Sequence, residues 1–128
     1  MAKKQEYYNS IWFSAPLRLG GNGSSATEGY VEVFDTSNSR WGGICINGYD
    51  MIDAHVICKM LGYPTAIEAV TNSADLYGTA PSGSNFTLTN LACTGYEPSI
   101  FQCPLTGEQD ENCEASDIAG VKCATSKL

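Results

Sequence analysis

The chain has 128 residues, a length that suits one domain with a single core. Charged residues make up 16% of it, against about 25% in an average soluble domain, so uncharged polar groups carry much of the expected surface. Fourteen acids against seven bases give a formal charge of -7, which excludes duplex nucleic acid as a partner and, without a bridging divalent cation, disfavours anionic lipid and polyanionic sugar.

Residues 1–15 carry Tyr7, Tyr8, Trp12 and Phe13 without a clean period and read as an N-terminal arm or linker. The arm has no continuous apolar run of a signal peptide, and the chain reads as a piece of something longer. No segment is long and apolar enough to be a transmembrane helix. The domain itself is expected over 16–124, with 125–128 as a short tail. The Gly/Ser-rich stretch 20–29 is a loop, and "YVEVF" is a half-buried strand with Val31 and Val33 on one side and Glu32 on the other. "NSRWGGICI" gives a turn and a second strand ending in Ile44, Cys45 and Ile46.

The clearest helix is "DMIDAHVICKMLG". Asp50 is its N-cap and Asp53 completes a carboxylate version of the capping box. Met51, Ala54, Cys58 and Leu61 share one face, with Ile57 beside them, and Gly62 followed by Pro64 ends the helix. His55 and Lys59 lie off that stripe and read as solvated helix residues. The following stretch, 63–85, is long, with short apolar pieces and a Gly/Pro/Ser-rich tail. "FTLTNLAC" alternates Phe86 and Leu88 against Thr87 and Thr89 as another strand, and "TGYEPSIFQ" is a turn with one helical turn. "IAGVKC" puts Val121 and Cys123 on one face of a terminal strand. Short strands with one good helix describe a small α+β fold.

Six cysteines stand at 45, 58, 93, 103, 113 and 123. A structural zinc site brings its thiolates in close pairs such as C-x-x-C, and no such pair exists here. Disulfides are the better reading, and they imply an oxidising, extracellular compartment. Two sequons, Asn22-Gly23-Ser24 and Asn85-Phe86-Thr87, agree with secretion as glycosylation candidates. Catalysis is not expected: the only histidine, His55, sits on the helix, the thiols are spoken for, and Gly20-Gly21-x-Gly23 lacks the Lys-Ser/Thr of a phosphate-binding loop.

The ordered blocks "EGYVEVF", "WGGIC", "DMIDAHVICKMLGY", "CTGYEPSIFQC" and "DIAGVKC" resemble the scavenger receptor cysteine-rich domain, over about Leu17 to Cys123. The resemblance implies a curved, mostly antiparallel sheet cradling the helix. The six-cysteine set resembles the family's group A, which implies pairs Cys45–Cys113, Cys58–Cys123 and Cys93–Cys103. Glu97 matches a family glutamate whose expected job is to accept main-chain hydrogen bonds in its loop. Several members hold a divalent cation through an acidic pair after the first cysteine and a glutamate before A-G-V-x-C. Here Ile46 and Asn47 replace the pair, Asp117 stands for the glutamate, Thr89 and Asn90 stand for the usual aspartates before the third cysteine, and Asn112 precedes Cys113.

Calcium takes six to eight oxygens, so losing carboxylates weakens such a site. A loose site from Asn47, Asp117 and Glu114 is the candidate metal position, with calcium the only cofactor considered. The acid-rich segment Glu108, Asp110, Glu111, Glu114 and Asp117 otherwise reads as a solvated loop. The family arginine in E-G-R-V-E-V is Tyr30 here, so a basic ligand face is not evident. The resemblance implies a monomeric, extracellular recognition module of a larger secreted or cell-surface protein, binding a protein or an anionic glycan. Its expected ligand face is Asn47, Asn90, Asn112, Asp110 and Glu111. The alternative is a structural or regulatory module acting through neighbouring domains of its parent.

Overall fold

Alternating apolar residues on two neighbouring segments set up the sheet. In the computed structural model, which describes residues 17–106 and 112–125, strand β1 (Leu17–Gly20) lies antiparallel to β2 (Glu28–Asp35). Leu17 faces Val33 and Gly20 faces Tyr30. A turn then returns the chain into β3 (Arg40–Ile44), and the Asp35 carboxylate accepts the main-chain N–H of Ser37 at 2.9 Å within it. The remaining strands are β4 (Ala66–Val70), β5 (Phe86–Leu88) and β6 (Gly120–Cys123). Their order is β4-β6-β2-β3-β5, with β1 also paired to β2. All pairs are antiparallel except β3 with β5, because the chain between those two crosses over through the main helix. The expected curled sheet with one main helix is thus a mixed sheet. The N-terminal arm lies outside the described residues.

Helix α1 (Met51–Met60) begins and ends as its sequence dictates. The Asp50 carboxylate accepts the Asp53 N–H at 3.1 Å, and Asp53 returns the bond from the Asp50 N–H at 2.9 Å. At the other end Gly62, at φ 96°, donates to the Lys59 carbonyl and Tyr63 donates to the Cys58 carbonyl. This left-handed exit satisfies two carbonyls that the helix itself leaves open. The buried face consists of Asp53, Ala54, Val56, Ile57 and Cys58. Ala54, Val56, Ile57 and Cys58 pack on Val31, Val33, Ile44, Leu88 and Val121 to form the main core. Each large apolar side chain removed from water there contributes about 1.5–3 kcal/mol.

Two expectations are corrected. Met51, expected on the buried stripe, is exposed: it borders a depression shared with Ile52 and Tyr96, while Val56 turns inward instead. Strand β2 was read as half-buried, yet it is covered on both faces: Glu32 is only 1% exposed beside fully buried Val31 and Val33. The stretch 63–85 carries regular structure in its short apolar pieces. It contributes β4 and a short helix, α2 (Ser73–Tyr77), which packs Tyr77 with Tyr30, Val70, Ala80 and Ile118 in a second, smaller cluster.

Three disulfides tie these parts together: Cys45–Cys113, Cys58–Cys123 and Cys93–Cys103, the set implied by the resemblance. The first two close separations of 68 and 65 residues and the third one of 10. Cys58–Cys123 fastens the buried face of α1 to the last residue of β6. Chain-entropy arguments credit each long loop with about 4 kcal/mol and the short one with about 3.

Candidate ligand-binding surface

Cys45 leaves β3 and bridges Ile118, while the Ile46 N–H donates to the Asp117 carbonyl at 2.9 Å. The chain then turns at once, Tyr49 N–H to the Ile46 carbonyl at 3.0 Å, with Gly48 at φ 76° in the turn. Cys45–Cys113 pulls Asn112 and Glu114 toward the same place, and Gly48 backs onto Asn90. Asn90 itself adopts a positive φ of 55°, and its carbonyl accepts the Thr106 N–H. The structure therefore draws Asn47, Asn90, Asn112, Glu114 and Asp117 to one end of the domain. Asp110 and Glu111, like Glu108, lie outside the described residues.

What that end can do chemically is limited by how its acids are used. The Asp117 carboxylate accepts the Glu114 main-chain N–H at 2.8 Å, closing a one-turn 3-10 helix over Ala115–Asp117. Among the described residues, the one trio of potential metal ligands that converges is Cys93, Glu97 and Cys103. Two of those are joined in a disulfide and offer no thiolate.

A second surface is built on the first turn of α1 and the loop inside the short disulfide. Glu97 accepts the Thr94 N–H at 2.9 Å and the Gly95 N–H at 3.0 Å, as its family position implied. The Thr94 bond leads the causes that hold its carboxyl below the usual range. This clamp presents Tyr96, which is 90% exposed. Gly95 rests against Ile52, and Met51, Ile52, His55, Thr65 and Tyr96 border an open depression of about 360 Å³. His55 Nδ1 lies 2.9 Å from Thr65 Oγ1, on a partly exposed part of the helix. Neither Tyr96 nor Ile52 was foreseen as a contact. The sequence carried no clear signal for this surface, since the same disulfide loop buries Ile100 in the core while leaving Tyr96 in water.

Beneath this surface Asp53 is fully buried. Besides its capping bond it accepts the Cys93 N–H at 2.8 Å, so α1 and the disulfide loop share one carboxylate. Burial pushes its carboxyl up to about 7, aided by the Asp50 carboxylate and opposed by the two main-chain bonds. On the opposite face of the sheet, Arg18 Nε donates to Glu32 Oε1 at 2.8 Å, and its guanidinium stacks 4.0 Å from the Trp41 ring centre. The Ser82 N–H donates to the other Glu32 oxygen at 3.3 Å.

A curled sheet on one helix, stapled by three disulfides and carrying its exposed features on loops, defines a disulfide-stabilised binding module. The chain belongs to the scavenger receptor cysteine-rich family: the sequence model of the scavenger receptor cysteine-rich domain matches residues 21–124. It is 39% identical over 103 residues to rat galectin-3-binding protein, covering 80% of this chain and 17% of that protein. Its identity to rat lysyl oxidase homolog 2 is 40% over 107 residues, covering 84% of this chain and 13% of that protein. The chain thus spans less than a fifth of the length of these relatives. Among solved structures it is similar to the third such domain of murine neurotrypsin, at a TM-score of 0.72 and 37% identity, covering 84% of this chain and 94% of that one. The same domain of mouse MARCO, in its dimeric form, aligns at a TM-score of 0.63 and 35% identity, covering 76% and 86%. The family is a non-catalytic module of larger extracellular proteins. No described helix is long and apolar enough to cross a membrane.

Proposed function

We propose that this chain is an extracellular recognition module of a larger secreted or cell-surface protein, and that its ligand is a protein docking on Tyr96, Ile52 and Met51. The observation that carries this reading is the exposure of Tyr96 on a loop clamped by Glu97 and by Cys93–Cys103. An aromatic side chain on a clamped main chain has few torsions to lose when a partner covers it, and such rings dominate binding energy at protein interfaces. The net charge of -7 favours a neutral or basic partner over an anionic glycan. Calcium at Asn47, Glu114 and Asp117 is at most an accessory to this contact.

The test is a screen of the secreted domain, displayed as a multimer, against an array of extracellular proteins and against heparin. A partner whose binding is lost with Tyr96→Ala and Ile52→Ser, and kept with Asn47→Ala and in chelator, supports the proposal. Chelator-sensitive binding to heparin, unaffected by Tyr96→Ala, would sink it in favour of cation-bridged glycan recognition.

A further inference from the structure

We propose that Asn22 and Asn85 both carry N-linked glycans and that the two sugars clothe the same side of the domain, the sheet face turned away from α1.

The placement follows from the period of β2. Val31 and Val33 point into the main core beneath α1, so Glu28, Tyr30 and Glu32 point to the other face. The segment from α2 to β5 covers that other face. Tyr77 Oη donates to Glu28 Oε2 at 2.7 Å, the Ser82 N–H reaches Glu32, and Phe86 packs against Tyr30 and Tyr77 in the second cluster. Both sequons border this segment. The Asn22 N–H donates to the Tyr77 carbonyl at 2.8 Å, and the Asn85 N–H donates to the Ser82 carbonyl at 3.0 Å. Both asparagines are exposed, and both are fixed through their main chains. A sugar on Nδ2 therefore requires no main-chain bond of the fold to break.

The modification joins asparagine Nδ2 to the anomeric carbon of an oligosaccharide carried on a lipid pyrophosphate. The C–O bond to the pyrophosphate breaks, the lipid pyrophosphate leaves with the electron pair, and the amide nitrogen loses one proton. Two glycans placed in this way screen α2, including exposed Leu76, and leave Met51, Ile52 and Tyr96 on the other side bare. This inference stands independently of the ligand proposed above, since it requires no partner.

The chain is secreted from mammalian cells, and the glycans are then removed by an amidase in heavy-oxygen water, which marks each former site as labelled aspartate. Label at both Asn22 and Asn85 is expected, and Asn22→Gln and Asn85→Gln should each abolish one glycan's mass. Hydroxyl-radical labelling of Leu76 should be lower before sugar removal than after it, with Tyr96 unchanged. An unlabelled asparagine at either position, or equal screening of Leu76 and Tyr96, overturns the proposal.

Discussion

The carboxylate of Asp53 accepts the main-chain N–H of Cys93 at 2.8 Å, across forty positions of sequence, and so joins the start of α1 to the loop that presents Tyr96. The same carboxylate faces the Asp50 carboxylate and lies near the buried hydroxyl of Tyr49. Its folded-state value of about 7 lies above the ordinary 3.8, so protonation favours the folded state. This contribution is complete below about pH 4 and is lost as pH rises through about 7. Its ceiling is about 4 kcal/mol. Asp35 and Glu97, whose carboxyls are held low, act in the opposite sense as pH falls. Denaturation at pH 4, 6 and 8 should therefore show Asp53→Asn gaining stability relative to the parent as pH rises. An unchanged difference across the range would contradict the assignment.

The Arg18–Glu32 pair is half in water: the Arg18 side chain is 47% exposed and that of Glu32 only 2%. Removing the arginine leaves a buried carboxylate whose one remaining partner among the described residues is the long Ser82 bond. Arg18→Ala should cost about 2 kcal/mol in urea denaturation, less than a fully buried pair because water partly replaces the guanidinium. Arg18→Lys should restore only part of the loss, since an ammonium cannot stack on Trp41 as the planar guanidinium does while holding Glu32. The double variant Arg18→Leu/Glu32→Gln should recover more than Arg18→Ala alone retains.

Glu97 organises its loop without being buried deeply, so its loss should be felt locally. Glu97→Ala should speed amide hydrogen exchange at Thr94 and Gly95, whose N–H groups it accepts, while leaving exchange in β2 and α1 unchanged. Exchange that quickens throughout the domain would assign Glu97 to the global fold instead.

Calcium affinity should respond to charge at position 47. Asn47 follows Ile46, whose N–H donates to the Asp117 carbonyl, and it stands where the family resemblance implies an acid; the Asp117 carboxylate holds the Glu114 main chain. Titration calorimetry of the parent should show binding only at millimolar calcium, and Asn47→Asp should tighten it by about tenfold. Tight binding by the parent itself would mean that the oxygens present already form a cage.

Much of the architecture could be read in advance because its determinants are local. Asp50, Asp53 and Gly62 bound α1 through contacts within a few residues, and β2 and β6 announce themselves by alternation. The cysteines were legible through their setting in ordered family blocks. What escaped depends on residues distant in sequence. Glu32 looked like a solvent-facing strand residue because nothing nearby predicts that Arg18, Trp41 and Ser82 close over it. Strand β4, with Ile67 and Glu68 exposed between Ala66 and Val70, lacks a clean two-residue period because the ladder to β6 shifts register between Ala66 and Glu68. The candidate site was legible as a set of positions at one end, yet the aromatic surface at Tyr96 was not, since exposure is decided by what fails to cover a residue.

The arrangement of β1 and β6 on β2 has a mechanical meaning for a domain strung within a longer chain. β1 enters beside Val33 and β6 leaves beside Glu28, so a pull on the two ends slides both strands lengthwise along β2. Lengthwise sliding loads many main-chain hydrogen bonds together, whereas peeling would rupture them one after another. Cys58–Cys123 passes the exit-side load from the last residue of β6 directly into α1, which makes the domain a shear-resistant link under tension.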